Sequence, residues 1–374
     1  MEKKVLYVVS TLKRSGPINQ LYNLINNFSK YEFDLTIVTL SPEPQDSKLD
    51  DFINLGINVI TLGLSRLKGV FFAKHKLKKI IDKINPDIVH SQGVRADYLN
   101  YLIVGGHMKI STIHNYPQKD FIKRYGPIVG TVLVKIQINA IKNFDIVIGV
   151  SKAVAKNLIS TYKIKNAYAV INGIDTDIYK PKSSTDKSKL KEKLGLAKYD
   201  CIWISTGHLS VLKQPEILIK SFLKNKNDAR FINSVFIFLG DGELSESLIM
   251  KYKHEKKIIF AGRVHNVVEY LQASDYFASA SSTEGLPMAV IEALSCGLPV
   301  LLSRIGPHEE IIGLDESIGV LFDSDDASES FMTMVTKDKT ALSHSCRSLA
   351  LNFFSAEAMG ANYKDIYNKS IKTK

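Results

Sequence analysis

Two glutamates, Glu284 and Glu292, bracket the stretch of this chain with the most chemical content, Glu284-Gly285-Leu286-Pro287-Met288-Ala289-Val290-Ile291-Glu292. Proline is tolerated in the first turn of a helix and disrupts its interior. The spacing therefore predicts a helix that begins near Pro287, runs to about Ser295 and stops at Gly297. Glu284 then lies in the loop before the helix and Glu292 within it. Free N–H groups around Met288 and Ala289, backed by the positive end of the helix dipole, suit an anion. A phosphate there would have one carboxylate on either side, each able to accept hydrogen bonds from hydroxyls. That combination is the shape of a sugar-nucleotide site.

Such groups must be held by a frame. Short β-branched or apolar runs alternate with helical spacing along the whole chain. Val5–Val9, Leu35–Leu40, Asn58–Leu62, Ile88–His90, Ile110–Ile113, Ile146–Val150 and Ala167–Ile171 read as strands. After Lys180-Pro181-Lys182-Ser183-Ser184-Thr185-Asp186, read as a linker, the series restarts. Cys201–Thr206, Ser234–Leu239, Ile258–Phe260, Tyr276–Ala278, Val300–Leu302 and Gly319–Phe322 form the second set. Alternation of this kind predicts βαβ units and an α/β fold of two doubly wound domains facing each other. Ligands then bind at the carboxyl ends of the strands.

At 374 residues the chain is long enough for two domains with substantial cores, and its 23% of charged residues argues against disorder. No apolar run approaches the roughly 18 residues of a membrane-spanning helix. The apolar run Val5–Val9 near the N-terminus is too short for a signal peptide and reads as a buried strand. Cys201, Cys296 and Cys346 have neither the number nor the spacing of a disulfide framework or zinc site, which points to a reducing cytoplasm. The net charge of +11 is uneven. Residues 1–180 hold 25 lysines and arginines against 14 acidic residues, and residues 181–374 hold 24 of each. The first half therefore expects an anionic partner: nucleic acid, a membrane surface or a phosphorylated substrate.

The Glu-x7-Glu block in its context Glu284–Val300 resembles the signature of the family-4 retaining glycosyltransferases of the GT-B fold. Weaker segments match in the same order: Ser15-Gly16-Pro17, Pro86–His90, Thr112–Asn115, Phe144–Lys152 and Ile171–Asp175. Gly207-His208-Leu209 with Lys213, Leu239–Leu244 and Phe260–Val264 follow in the second half. The resemblance spans about residues 5–370 and implies two Rossmann-like domains facing a central cleft. Residues 1–180 would bind the acceptor and residues 181–354 the sugar-nucleotide donor. The C-terminal segment, about residues 355–374, would cross back onto the first domain.

The resemblance also implies roles. Glu292 would accept from the ribose hydroxyls, and Glu284 would hold the transferred sugar's hydroxyls beside the N–H groups of Gly285 and Leu286. Lys213, with Gly207 and His208 on the same loop, would neutralise the leaving diphosphate. The family usually has arginine where this chain has His208, and an imidazole cannot copy the guanidinium fork. His114 would lie beside the transferred sugar or the acceptor, Gly16 would let the first loop approach closely, and Arg263-Val264 would meet the nucleotide base. Asn172 and Asp175 are expected to shape the crossover, and Gly240-Asp241-Gly242 to form a tight turn. No metal site and no bound cofactor is expected, the donor being a co-substrate with UDP-sugars favoured over GDP-sugars.

Two basic segments remain. In Val70–Ile84, residues Val70, Ala73, Leu77, Ile80, Ile81 and Ile84 form an apolar stripe with lysines on the other faces. This reads as a helix packed on the sheet, or alternatively as a membrane contact. Tyr116–Lys142 mixes five basic residues with aromatics and aliphatics where related enzymes receive acceptors. Together they suggest a peripheral enzyme at the inner face of the cell membrane, acting on an undecaprenyl-diphosphate-linked saccharide in surface polysaccharide assembly. Nucleic acid is not expected as a partner. The alternatives are an epimerase or phosphorylase on the same fold, or a non-enzymatic nucleic-acid or membrane-binding protein.

Overall fold

The structure is a computed structural model that describes residues 3–28, 33–323 and 325–372. Two compact units divide the chain. The first runs to Gly173 and resumes at Ala356, and the second spans Ile174–Ser355.

The first unit carries β1 (Lys3–Val9), β2 (Phe33–Thr39), β3 (Asn58–Thr61), β4 (Ile88–Gln92), β5 (Met108–Ile113), β6 (Ile146–Gly149) and β7 (Ala167–Ala169). They form one sheet of order β3-β2-β1-β4-β5-β6-β7 with every neighbouring pair parallel. A strand covered on both faces shows a continuous apolar run instead of alternation, as β1 does from Val5 to Val9. Val5, Tyr7 and Val9 enter a core with Leu21 and Leu24 of the helix Gly16–Asn26. Leu6 and Val8 face the other side, against Ala73, Leu77 and Ile81 of the helix Arg66–Ile84.

The C-terminal helix Ala356–Lys372 completes the first core with Met359, Tyr363 and Tyr367. Its tyrosines reach polar atoms deep in the sheet. The Tyr367 hydroxyl lies 2.8 Å from that of Tyr7 and 2.5 Å from His90 Nδ1, and the Tyr363 hydroxyl is 3.0 Å from Thr112 Oγ1. Burial holds the His90 imidazole neutral, its pKa pushed down to about 3.

The second unit carries β8 (Cys201–Thr206), β9 (Ser234–Leu239), β10 (Ile258–Gly262), β11 (Tyr276–Ser279), β12 (Val300–Ser303) and β13 (Gly319–Phe322). They form a parallel sheet of order β10-β9-β8-β11-β12-β13. Its core centres on Trp203, stacked on Tyr276 at 4.5 Å and met edge-on by Phe331. In both sheets the strand order reverses once, between β1 and β4 and between β8 and β11. In open α/β sheets these are the points where ligands bind.

All of the runs expected as strands are strands, with ends shifted by at most two residues. Two expectations change. The polar stretch Lys180–Asp186 is not all linker: Ser183 caps a helix, Ser184–Lys193, by accepting from the N–H of Asp186. The stripe expected in Val70–Ile84 holds at Ala73, Leu77 and Ile81, with Ile80 and Ile84 packed against the same core, and fails at Val70, which is exposed beside Leu67, Phe71 and Phe72. Gly69 is buried as well, with the Arg95 guanidinium so close that a Cβ there would meet it.

Tyr367→Phe keeps the ring and deletes the hydroxyl shared by Tyr7 and His90. It is expected to lower stability by about 1–3 kcal/mol, the range for leaving buried partners unsatisfied. The urea midpoint should fall with the slope of the transition unchanged.

Candidate functional site

In the second unit the loops after β8 and β11 meet at the switch point. The Lys213 ammonium pairs with Glu284 Oε1. Ser282 locks the two loops together by donating from its N–H (2.8 Å) and its hydroxyl (3.0 Å) to the carbonyl of Leu212. Gln214, just after Lys213, takes a left-handed backbone (φ 46°) that only a small share of non-glycine residues adopt. That turn ends the loop and starts the helix Pro215–Lys224.

Burial acts first on the Glu284 carboxyl and would raise its pKa. The Lys213 charge and hydrogen bond, with a hydrogen bond from Ser281, outweigh it and hold the pKa below the usual glutamate value. His308 stands close enough to Glu284 for its field to matter, and it is fully buried. Its Nδ1 lies 2.7 Å from the carbonyl of Ser303, which can only accept, so Nδ1 carries the proton and Nε2 presents a lone pair. That Nε2 has no hydrogen-bond partner. Burial pushes the His308 pKa down to about 4, so the ring is neutral and the formal positive charge beside Glu284 rests on Lys213.

The helix Met288–Ser295 begins after Pro287 as the spacing predicts, with Gly297 at φ 76° beyond its end. Gly285 and Leu286 are buried, Met288 and Ala289 half-buried. Glu292, in the helix, receives a hydrogen bond from the Tyr179 hydroxyl, whose pKa is raised by burial and by that carboxylate.

Gly207 belongs with Lys213: a Cβ on Gly207 would touch the Lys213 side chain at 4.0 Å. Gly240, at φ 130°, presses on the backbone of Gly207 so closely that no side chain fits between them. Leu209 N–H donates to Asp241 O and Leu244 N–H to Leu209 O, which fastens this turn to the loop after β8. His208 points elsewhere. It is exposed and pairs with Glu243 at 3.0 Å, and Glu243 also accepts from the N–H of Val211. Arg263 is exposed and Val264 half-buried in the loop after β10.

In the first unit the switch point holds a cavity of about 250 Å³ beyond the ends of β1, β4 and β5. His114 lines it with Gln92, Gln137 and Phe121, and Ser15 and Pro17 contribute from either side of Gly16, the first residue of its helix. His114 Nε2 is 3.1 Å from Gln92 Oε1, and burial lowers the His114 pKa to about 4. Phe121 is placed by a break in the helix Pro117–Ile141: Gly126 turns to φ 79°, Pro127 restarts the helix, and Gly130 packs on the backbone of Phe121 and Ile122. Sequence reasoning missed Gln92, Gln137, His308, Ser281, Glu243 and Tyr179. Glu243 lies in the matched segment Leu239–Leu244 and Ser281 three residues before Glu284, while the other four owe their place to partners that folding brings to them.

Comparison with known proteins adds to this geometry. Residues 15–178 match the family model described as Glycosyltransferase Family 4, and residues 186–341 match Glycosyl transferases group 1. The chain is 25% identical over 350 residues to the Escherichia coli UDP-Gal:alpha-D-GlcNAc-diphosphoundecaprenol alpha-1,3-galactosyltransferase, covering 90% of this chain and 89% of that protein. An Escherichia coli O-antigen biosynthesis glycosyltransferase, WclY, is 24% identical over 376 residues, 98% of both chains. The crystal structure of Anabaena HepE in complex with UDP and glucose superposes with a TM-score of 0.82 at 17% identity, covering 98% of this chain and 100% of that one.

The ion pair predicts a reversal with pH. The native Glu284 pKa lies below its unfolded value of about 4.3, so its contribution to stability is present above that value and lost as pH falls through the native pKa. Lys213→Met removes the main opposition to burial, leaving the Ser281 hydrogen bond, and raises the native pKa. The stability deficit of that variant should then be small at pH 5 and grow toward pH 8, read as the difference in thermal midpoint from wild type.

Proposed function

Because the chain belongs to the GT-B glycosyltransferases of family 4, we propose that it moves a hexose or N-acetylhexosamine, with retention of configuration, from a sugar nucleotide to a saccharide acceptor. The observation that carries this reading is the Lys213–Glu284 pair at the carboxyl edge of the second sheet. The chemical difficulty is the departure of a nucleoside diphosphate with growing negative charge. Lys213 and the N-terminus of the helix Met288–Ser295 stabilise that charge in place. Glu284, ionised by its partner, accepts from hydroxyls of the transferred sugar, and Glu292 from the ribose. Arg263 and Val264 meet the base. His208 is engaged by Glu243, so the burden of the diphosphate falls on Lys213.

Retention follows from attack on the face the leaving group departs from. The bond from the acceptor oxygen to C1 forms as the C1–phosphate oxygen bond breaks, and the acceptor proton passes to that phosphate oxygen. No metal is needed for this step, and UDP is the favoured nucleotide.

The acceptor is a saccharide on a lipid diphosphate such as undecaprenyl diphosphate, in assembly of a surface polysaccharide. One Escherichia coli relative is named for that acceptor chemistry and another for O-antigen biosynthesis, which supports the reading. So does the surface of the first unit. No helix among the described residues is long and apolar enough to cross a membrane. Yet Phe71 is 77% and Ile128 80% exposed, with Leu67, Val70, Phe72, Val129 and Val132 also turned outward. Arg66, Lys68, Lys74, Lys123 and Arg124 lie between and beside them in sequence. Exposed apolar residues among cations match an anionic bilayer, at about 1 kcal/mol for each lysine or arginine near its surface. The enzyme therefore works adsorbed to the inner face of the cell membrane.

Glu292→Ala or Lys213→Ala should cut transfer by at least a hundredfold with the fold intact by circular dichroism; near-normal rates in both would sink the site assignment. A thermal-shift screen of UDP- and GDP-sugars should single out the donor. Donor isomerised without any acceptor would identify an epimerase instead. Sedimentation with anionic vesicles should retain the wild-type protein, and Phe71→Ser with Phe72→Ser should release it; equal retention by zwitterionic vesicles would count against the charge-based docking.

A further inference from the structure

Glu292 sits in the helix Met288–Ser295, yet the group that meets its carboxylate comes from outside that helix. The donor is the Tyr179 hydroxyl. Tyr179 lies in the irregular stretch between β7 and the helix Ser184–Lys193. A side chain on irregular backbone keeps one place only where that backbone is tied down.

The ties converge on Arg347, in the helix Lys339–Phe353. Its Nη1 donates to the Tyr179 carbonyl at 2.8 Å, to Ser295 Oγ at 2.8 Å and to the Ser295 carbonyl at 3.0 Å. Its Nη2 reaches the Thr176 carbonyl at 3.0 Å. Ser295 Oγ in turn donates to the Tyr179 carbonyl at 2.5 Å. One guanidinium therefore fastens both ends of Thr176–Tyr179 to the last residue of the helix that carries Glu292. Gly297 makes room for this, because a Cβ there would meet Ser343 of the Arg347 helix and Pro181.

The oxygens it takes are three carbonyls and a hydroxyl, not a carboxylate. Carbonyls in the last turn of a helix lack partners within it and carry the negative end of its dipole, which a guanidinium both satisfies and neutralises. Its planar fork can hold several oxygens at once, and an ammonium cannot. Ser295 is fully buried, and Tyr179, Glu292 and Arg347 are half-buried.

A glutamate side chain has several rotatable bonds and, untethered, samples many directions. A ribose presents two neighbouring hydroxyls in a fixed relation, so a carboxylate meets both only from a narrow range of orientations. We infer that Arg347, acting through Ser295 and Tyr179, is a positioning residue that aims Glu292, and that this linkage gives the donor site a preference for ribose over 2′-deoxyribose. The inference rests on the proposed reading in taking the ligand of Glu292 to be the donor ribose.

The test is calorimetric titration of the full chain with UDP and 2′-deoxy-UDP, and with GDP and 2′-deoxy-GDP. Wild type should bind one ribonucleotide at least tenfold more tightly than its deoxy form, as expected for a hydrogen bond to a charged group. Tyr179→Phe, which deletes one hydroxyl and leaves every backbone tie, should shrink that ratio at least threefold. Its affinity for the deoxy form should stay within twofold of wild type. Arg347→Met should shrink the ratio at least as far, and Arg347→Lys should fall between it and wild type. A residue that only supports the fold would weaken both nucleotides equally and leave the ratio unchanged. An unchanged ratio in Tyr179→Phe, folded by circular dichroism, would overturn the inference whatever the arginine variants do. So would a wild-type ratio in Arg347→Met. A wild type that binds a diphosphate without preferring ribose would take Glu292 off the ribose and overturn the inference too. Failure of all four nucleotides to bind wild type would overturn the donor reading itself, and the inference with it.

Discussion

Among the described residues, thirteen parallel strands in two sheets impose one constraint on everything else in this enzyme. In a parallel sheet covered on both faces, the strand interiors are apolar and every strand ends at the same edge. Polar chemistry is confined to the loops at that edge, and the reversal of strand order opens a crevice there. Lys213 and Glu284 follow β8 and β11, the reversal strands of one sheet. Gln92 and the loop after Val9 end β4 and β1, the reversal strands of the other. Where a side chain falls along its strand therefore decides whether it belongs to stability or to chemistry.

Strand β11 illustrates the distinction at its two ends. Asp275, at the amino edge, is nearly buried, yet Lys187, Lys191 and Lys339 gather on it, and its Oδ2 accepts from the N–H of Ile202. Burial would raise its pKa; the three lysines win and bring it down to about 2. That cluster ties helices to the sheet and has no cavity beside it among those described. Glu284, beyond the carboxyl edge, is likewise shifted down against burial, but chiefly by one half-exposed lysine in the loops at the switch point. A shifted carboxyl marks an electrostatic constraint, and its place on the sheet says what the constraint serves.

His90, His114 and His308 share a second pattern. Burial keeps His90, His114 and His308 neutral, each with a ring nitrogen placed against a hydroxyl, amide or carbonyl oxygen. Neutral imidazoles can orient polar groups without adding charge, and the formal charges at the switch point of the second sheet are those of Lys213 and Glu284. His208, where the sequence resemblance led one to expect an arginine, turns to Glu243.

The strand pattern was legible because burial on both faces writes continuous apolar runs, and Glu284–Glu292 was legible because proline, glycine and carboxylates act locally on one loop and one helix. Local signals failed where distance in sequence intervened. Val70 fits by spacing the apolar stripe that Ala73, Leu77 and Ile81 bury, yet its side chain faces out. His308 acquires meaning only beside Glu284, and Gln137 only above Asp97. Tyr367 does so only when the last helix returns to Tyr7 and His90. By itself the sequence determined the elements, their parallel arrangement and the loop and helix that carry Glu284 and Glu292, since these follow from periodicity and backbone stereochemistry. The tertiary structure alone decided which polar atoms are paired, which are buried and open, and which apolar side chains face outward, because those depend on residues that folding brings together.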